Sequence, residues 1–305
     1  MTDLWSGVVL GLLPAACRSA TPLLLALLGE TLTQRSGIVN LGTEGQMLIG
    51  AATAFAVTAA TGNPWLGLAA GATSGALLSL GHAALCLRFR ANQFASGLAI
   101  WMVGFGTSSL LGARLVGQSI TGFESLGKSW LGEHVPAIAW LTPSIWLGWL
   151  CAVAAAVFLY HTRPGLALRA VGESSRGAAA AGLHVDRVRT LAIAAGGLLS
   201  GVGGAALSID YAQTWAEGMS QGRGLVAVGL VIVARHNPWL AVPTALVFGG
   251  AEALVLRLQS AGSEASAHLL HMLPYAVALG VLVVTCLGPG GRAAAPRELR
   301  AVLDR

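Results

Sequence analysis

Charge is the first shortage. Only 10% of the residues are Asp, Glu, Lys or Arg, against about 25% in an average soluble domain. Hydrophobic residues make up 55% and mean hydropathy is +0.70, so a soluble globular body is excluded and the chain reads as an integral membrane protein. Cysteine is scarce too. Cys17, Cys86, Cys151 and Cys286 stand singly in or beside apolar runs, without metal-type spacing, and read as small interior residues. The seven histidines are dispersed and no His-Glu-x-x-His occurs, which argues against an intramembrane hydrolase. The chain is therefore expected not to be an enzyme and to hold no cofactor or metal. Residues 1–7 carry Asp3 and no Lys or Arg; without a basic n-region the first apolar run is expected to be retained rather than cleaved.

A net charge of +5 would suggest a nucleic-acid partner in a soluble domain. Here the arginines sit between apolar runs and at the C-terminus, so they report topology, and the medium met is membrane lipid. The apolar runs fall at about 8–28, 47–60, 65–87, 94–116, 145–160, 191–209, 225–234, 238–257 and 269–287. They predict an all-α polytopic transmembrane bundle of about nine spans, one domain over 1–305. Trp65, Trp130, Trp140, Trp146 and Trp239 lie near span ends, where interfacial indoles belong.

The longest polar interruption, within 161–190, holds Arg163, Arg169, Arg176, Arg187 and Arg189 against Glu173 and Asp186. The bias of short cytoplasmic loops toward Lys and Arg places it inside. Counting crossings outward from it puts the N-terminus outside, Arg88 and Arg90 inside, the connection 118–142 outside, and the basic tail 288–305 inside. Within the central loop, Ser174 and Ser175 can cap a short helix through Ala178 to Ala181 that Gly182 closes in the left-handed conformation. Asp186 can then cap the helix that re-enters the bilayer. Such a helix suits a groove on a cytoplasmic partner; a loop that only sets topology is the alternative.

Two polar stretches interrupt the apolar pattern elsewhere. Residues 29–47 and 215–224 are rich in glycine and polar groups, and each opens a short apolar run ending in an Asn-Pro turn, Asn63-Pro64 and Asn237-Pro238. With five crossings between them, Glu44-Gly45 and Glu217-Gly218 would belong to copies inverted relative to one another. Polar groups in irregular backbone at membrane depth line a cavity or protein interior, so Asn40, Thr43, Glu44 and Gln46, with Glu217 and Arg223 as counterparts, are the candidate substrate path; a structural hinge is the competing reading. Arg18 within the first run is expected to be paired. Gly196, Gly197, Gly201, Gly203 and Gly204 read as close helix packing.

The run Gln34 to Ala51 resembles the first signature of permease subunits from bacterial nucleoside and simple-sugar ABC importers, within the ribose-type and branched-chain amino-acid-type permease superfamily. Arg169 to Arg189 resembles their cytoplasmic loop, and Gly222 to Pro238 a third block, in the same order along nearly the whole chain. The chain departs from that pattern at Gln34, where an acidic residue is common, at Thr43 and Gln46, where apolar residues are usual, and at Ser175, where proline is frequent. The resemblance implies a subunit of the bacterial inner membrane that pairs with a second, related permease as a heterodimer. A cytoplasmic ABC ATPase and an extracytoplasmic substrate-binding lipoprotein would complete the importer. Ser174, Ser175, Arg176, Ala178, Ala179, Ala181 and Gly182 would be the ATPase-coupling element, and the solute a nucleoside or related small polar molecule. The rival is an ion-coupled secondary transporter using Glu44, Asp210, Glu217 or Glu252.

Overall fold

The computed structural model describes residues 12–125, 140–260, 267–287 and 295–303. Among them there is no strand beyond one isolated antiparallel bridge between Ser119 and Thr214. Nine helices follow the nine expected runs: α1 Leu12–Arg35, α2 Thr43–Thr61, α3 Pro64–Ala83, α4 Gln93–Gly112, α5 Pro143–His161, α8 Val185–Ala205, α9 Arg223–Val233, α10 Pro238–Ser260 and α11 Ala267–Leu287. The central loop adds α6 Arg163–Glu173 and α7 Ser175–Ala180, and the tail adds α12 Arg297–Leu303. Six of these helices are long and apolar enough to cross a membrane. Helix α9, with 11 residues, reaches about 16 Å at 1.5 Å per residue and spans only half a bilayer core of about 30 Å.

Several boundaries differ from expectation. Helix α1 continues to Arg35, so the polar residues 29–35 are helical and only 36–42 break the chain. What precedes residue 12, and residues 126–139 of the connection 118–142, with Trp130, lie outside the described residues, as do 288–294 of the tail. Helix α6 was read as loop, although Pro164 occupies its first turn and the Thr162 hydroxyl accepts a hydrogen bond from Gly165 N at 3.1 Å, a favourable start. Helix α8 begins at Val185, with Asp186 in its first turn rather than at its cap.

The centre is the α1–α8 pair. Leu23, Leu25, Leu27 and Leu28 of α1 are fully buried. A Cβ on Gly29 would stand 2.5 Å from the carbonyl oxygen of Gly196, so the two helices touch through backbone, which only small residues permit. Helix α8 packs on α3 as α1 packs on α10. Both outer helices begin with the same four letters, Asn63-Pro-Trp-Leu66 and Asn237-Pro-Trp-Leu240. The capping geometry repeats too: Asn63 Oδ1 accepts from Trp65 N at 3.0 Å and Asn237 Oδ1 from Trp239 N at 3.0 Å. The outer faces carry Leu77, Met102, Leu110, Leu150 and Val284 exposed, as lipid or a partner subunit in lipid would require.

Candidate functional site

Two breaks in the helical pattern meet inside the protein. At the first, the chain leaves α1 at Ser36, turns at Gly37, where φ is +87°, and runs without regular structure to α2. Glu30, 1% exposed, organises this entry. Its Oε1 accepts from Asn40 N and from Gln34 Nε2, both at 3.0 Å, and its Oε2 accepts from the Thr43 hydroxyl at 3.3 Å. Asn40 Nδ2 donates to Gln46 Oε1 at 3.2 Å, while Asn40 Oδ1 accepts from Gly42 N at 3.0 Å. Buried His82 lies 3.1 Å from the Val39 carbonyl, and buried His236 lies 2.9 Å from Gln34 Oε1. Asn40, Thr43 and Gln46 are each 1% exposed or less within this chain. Their amides and hydroxyl hold the break, which is the hinge alternative.

At the second break the chain takes positive φ at Gly218 (65°), Gln221 (49°) and Gly222 (81°) just before α9 starts. Those turns present a hydroxyl and two amides to one carboxylate, that of Glu44. Its Oε1 accepts from Ser220 Oγ at 2.6 Å and Gly222 N at 2.8 Å, and its Oε2 from Gly224 N at 2.6 Å. Glu44 lies in the first turn of α2, so one buried negative charge faces the positive ends of two helix dipoles. The helices meet closely: a Cβ on Gly224 would stand 2.5 Å from the Cα of Glu44.

Arg223, the first residue of α9, points the other way. Its NH2 pairs with Glu252 Oε1 of α10 at 2.9 Å, and its guanidinium lies 5.7 Å from the Tyr211 ring centroid. Glu252 Oε2 also accepts from Ser19 of α1. This pair lines a cavity of about 540 Å³ together with Tyr211, Gln221, Met219 and Tyr275, a size usual for small-molecule sites. The Tyr275 hydroxyl donates to the Gln221 carbonyl at 2.9 Å. Tyr211 belongs to a π-helical stretch, Ala206–Ala212, that ends α8; such irregularities are frequent at functional sites. Glu217 also lines this cavity, but it is exposed and bonded to Ser109 at 2.8 Å. It does not hold the place of Glu44: Glu44 is the second residue of α2, whereas Glu217 precedes the start of α9 by six residues. Arg18 NH2 donates to the Asp210 carbonyl at 3.0 Å, a backbone partner. The Asp210 carboxylate accepts from Thr142 at 2.6 Å and from Ser144.

In the central loop the Ser174 hydroxyl accepts from Gly177 N at 3.1 Å, capping α7, and Gly182 closes it with φ at +84°. The helix ends at Ala180, one residue early. Its faces are unequal: Ala178 is buried, whereas Arg176, Ala179, Ala180, Ala181 and Gly182 are exposed. Ser175 turns inward, donating from its amide and its hydroxyl to Glu298 of α12 at 2.9 and 2.8 Å.

Residues 13–285 match the family model described as the branched-chain amino acid transport system permease component. The chain belongs to this permease family. A Haloferax volcanii protein provisionally named a glucose ABC transporter permease is 40% identical over 286 residues, covering 92% of this chain and 86% of that protein. A guanosine ABC transporter permease of Bacillus subtilis is 32% identical over 260 residues, 80% of this chain and 81% of its own. A nucleoside ABC transporter permease of Lactococcus lactis is 30% identical over 294 residues, 91% and 92% of the two chains. No solved structure matches. The permease is thus a multi-pass membrane subunit of the ABC-transporter class, with a role in transport rather than catalysis.

The expectation that the chain carries neither a Walker A nor a Gly-x-Ser-x-Gly motif needs correction, because two stretches of the permease spell those letters. Gly218-Met-Ser-Gln-Gly222 has the spacing of a hydrolase nucleophile elbow, but that elbow needs a strand before it, and Ser220 instead donates to Glu44. Gly122-Phe-Glu-Ser-Leu-Gly-Lys-Ser129 has the spacing of a phosphate-binding loop. Such a loop follows a strand, whereas here the described residues 118–125 follow α4, and a Cβ on Gly122 would stand 2.1 Å from the Ile209 carbonyl oxygen. Tyr211 and Tyr275 line the cavity without having been among the candidate path residues, and Glu252, a candidate ion site of the rival carrier, lines it too. The place of Glu252 as an acidic residue inside an apolar run is the signal that marked it; Tyr211 and Tyr275 carry no such local signal.

Proposed function

We propose that the permease is one half of a heterodimeric translocation unit in a bacterial ABC importer for a nucleoside or related small polar solute, simple sugars included. A second permease, a cytoplasmic ATPase and an extracytoplasmic substrate-binding lipoprotein complete it. The cavity at Arg223 carries this reading. Its arginine and Glu252 neutralise each other across 2.9 Å, leaving ring, hydroxyl and carbonyl surfaces of Tyr211, Tyr275 and Gln221 to meet an uncharged solute. The names of the relatives, glucose, guanosine and nucleoside permeases, support the same class. Arg223 and Glu217 face the path, and Asn40, Thr43, Glu44 and Gln46 act from behind it by fixing where α2 and α9 begin. The N-terminus lies outside; loop 161–190 and tail 288–305 lie in the cytoplasm, and the contact of α12 with α7 supports placing them on one side. The exposed surface of Arg176, Ala179 and Ala181 docks on the ATPase, with Ser174, Ser175, Ala178 and Gly182 shaping it.

A binding panel of nucleosides, sugars and amino acids on the partner lipoprotein, followed by uptake of the preferred solute by the assembled transporter with Arg223→Ala, tests the proposal. Binding of a nucleoside or sugar and loss of uptake are expected. Preference for a charged amino acid, or undiminished uptake by the variant, would overturn it.

A further inference from the structure

Helix α12 lines neither the cavity nor the exposed surface of α7, yet its Glu298 touches three separate parts of the cytoplasmic face. The carboxylate accepts from both the amide and the hydroxyl of Ser175, the first residue of α7, at 2.9 and 2.8 Å. It pairs with Arg189 near the start of α8 at 3.6 Å. Its Cβ also lies where a Cβ on Gly37 would stand, 2.9 Å away. Partial burial pushes the Glu298 carboxyl up, but the Ser175 bonds and the Arg189 and Arg176 charges outweigh it and hold the group below the usual carboxylate value. Leu299, 2% exposed, anchors the helix beside this contact. By comparison, Arg297 reaches Glu173 only at 4.0 Å with both side chains largely exposed, so that pair contributes little.

The contact matters because of what Arg189 does next. Its Nε donates to the Ser36 carbonyl at 3.2 Å, at the end of the α1 turn from which the chain runs through Gly37 to Asn40 and the start of α2. A six-residue helix such as α7 does not hold its own geometry, and it joins the bundle through Ser174 on one side and the left-handed Gly182 on the other. Glu298 supplies a third attachment, and that attachment leads to the break carrying Glu44.

We propose that α12 is a clamp that makes α7 and the 36–42 break move as one body, with Glu298 as its positioning residue, so that the tail takes part in coupling ATP hydrolysis to transport. This rests on the reading of α7 as the ATPase-docking element. Its physical content is a rigid link between two parts that would otherwise shift separately.

The test uses the complete transporter in proteoliposomes and reads solute moved per ATP hydrolysed. Losing hydrogen bonds to a charged acceptor shifts an equilibrium about tenfold or more, so Glu298→Ala should lower that ratio by about tenfold while the ATPase still co-purifies. Glu298→Gln keeps an acceptor oxygen for Ser175 and loses the charge facing Arg189; it should fall between. The exchange Glu298→Arg with Arg189→Glu should stay low, because it restores the ion pair and not the Ser175 bonds. A tail with only a structural role would reduce the amount of assembled complex and leave the ratio per complex unchanged, and that result overturns the proposal. Should Glu298→Ala fail to accumulate, Ser175→Ala, which removes one of the two bonds, reads the same clamp through the same ratio. Ala179→Trp separates the two ideas. If it neither releases the ATPase nor stops uptake, the docking reading itself fails; if it does and Glu298→Ala keeps the wild-type ratio, the clamp alone fails.

Discussion

Replacing Glu44 by alanine removes the one side chain on which the two helix breaks converge. Three hydrogen bonds disappear, from Ser220 Oγ and from the amides of Gly222 and Gly224, and their donors remain in a site where Glu44 is 4% exposed. Interhelical hydrogen bonds in membrane proteins contribute about 0.6–2 kcal/mol each. A carboxylate at a helix N-terminus adds about 0.3–1 kcal/mol, and up to about 2 kcal/mol where it is buried. The sum is roughly 2–8 kcal/mol, which at about 2–3 °C per kcal/mol for a chain of this size lowers the unfolding midpoint by at least about 4 °C. Reaction of buried Cys17 with a thiol-sensitive dye during heating in detergent reads that midpoint. Glu44→Gln keeps one acceptor and turns an NH2 toward a donor, so it should lose about half as much. Glu217→Ala is the control: it sits in the same letter pair but is exposed, and should stay within about 0.5 kcal/mol of the parent. If Glu44→Ala melts with the wild type, or Glu217→Ala melts with Glu44→Ala, the convergence of the breaks on Glu44 is refuted.

Other consequences can be checked separately. Gly196→Leu should prevent stable assembly, since even a Cβ there would stand 2.2 Å from the Thr33 hydroxyl and 2.9 Å from the Gly29 carbonyl; the yield of monodisperse protein measures this. Arg223→Ala leaves Glu252 without its ion-pair partner, a defect that costs roughly 3–5 kcal/mol in a buried pair and somewhat less here, where Glu252 is half-buried. Adding Glu252→Gln should recover most of the loss in melting temperature without restoring uptake. Ala179→Trp enlarges the exposed face of α7 and should abolish uptake with normal membrane levels, whereas Ala178→Asp places charge on its buried face and should reduce those levels, as immunoblotting of membranes would show. Glu298 is depressed in the folded protein, so its contribution to tail docking is complete above the ordinary carboxylate pKa of about 4.3 and is lost as pH falls through its folded value. Hydrogen exchange of the Ser175 amide should therefore show unchanged protection between pH 8 and pH 5.5 and progressive loss of it below about pH 4.3.

The order and kind of the helices were legible because spans announce themselves by apolar length, and the caps at Ser174 and Gly182 because they are local chemistry. What escaped depended on partners far away in sequence. Glu44 looked like a group facing solute, but its ligands come from residues 176–180 positions later, and no local pattern places them. Asn40 and Gln46 are bonded within the break, and polar letters at membrane depth are the same whether they line a cavity or the protein interior. The match of Glu44-Gly45 with Glu217-Gly218 rests on two letters and a similar distance to an Asn-Pro turn, whereas the helices that follow differ in length, α2 having 19 residues and α9 having 11. The repeated Asn-Pro-Trp-Leu is a longer match than Glu-Gly, and both copies cap a helix start in the same way.

Energy source is the measurement closest to the central claim. The permease is reconstituted in liposomes with the proposed second permease and the ATPase, solute-loaded binding protein is added outside, and uptake is followed with ATP and with a proton or sodium gradient in turn. Uptake that requires ATP and the ATPase, and that vanishes with Ala179→Trp, is the expected result. Accumulation by the permease alone under an ion gradient, without ATP, would contradict the account.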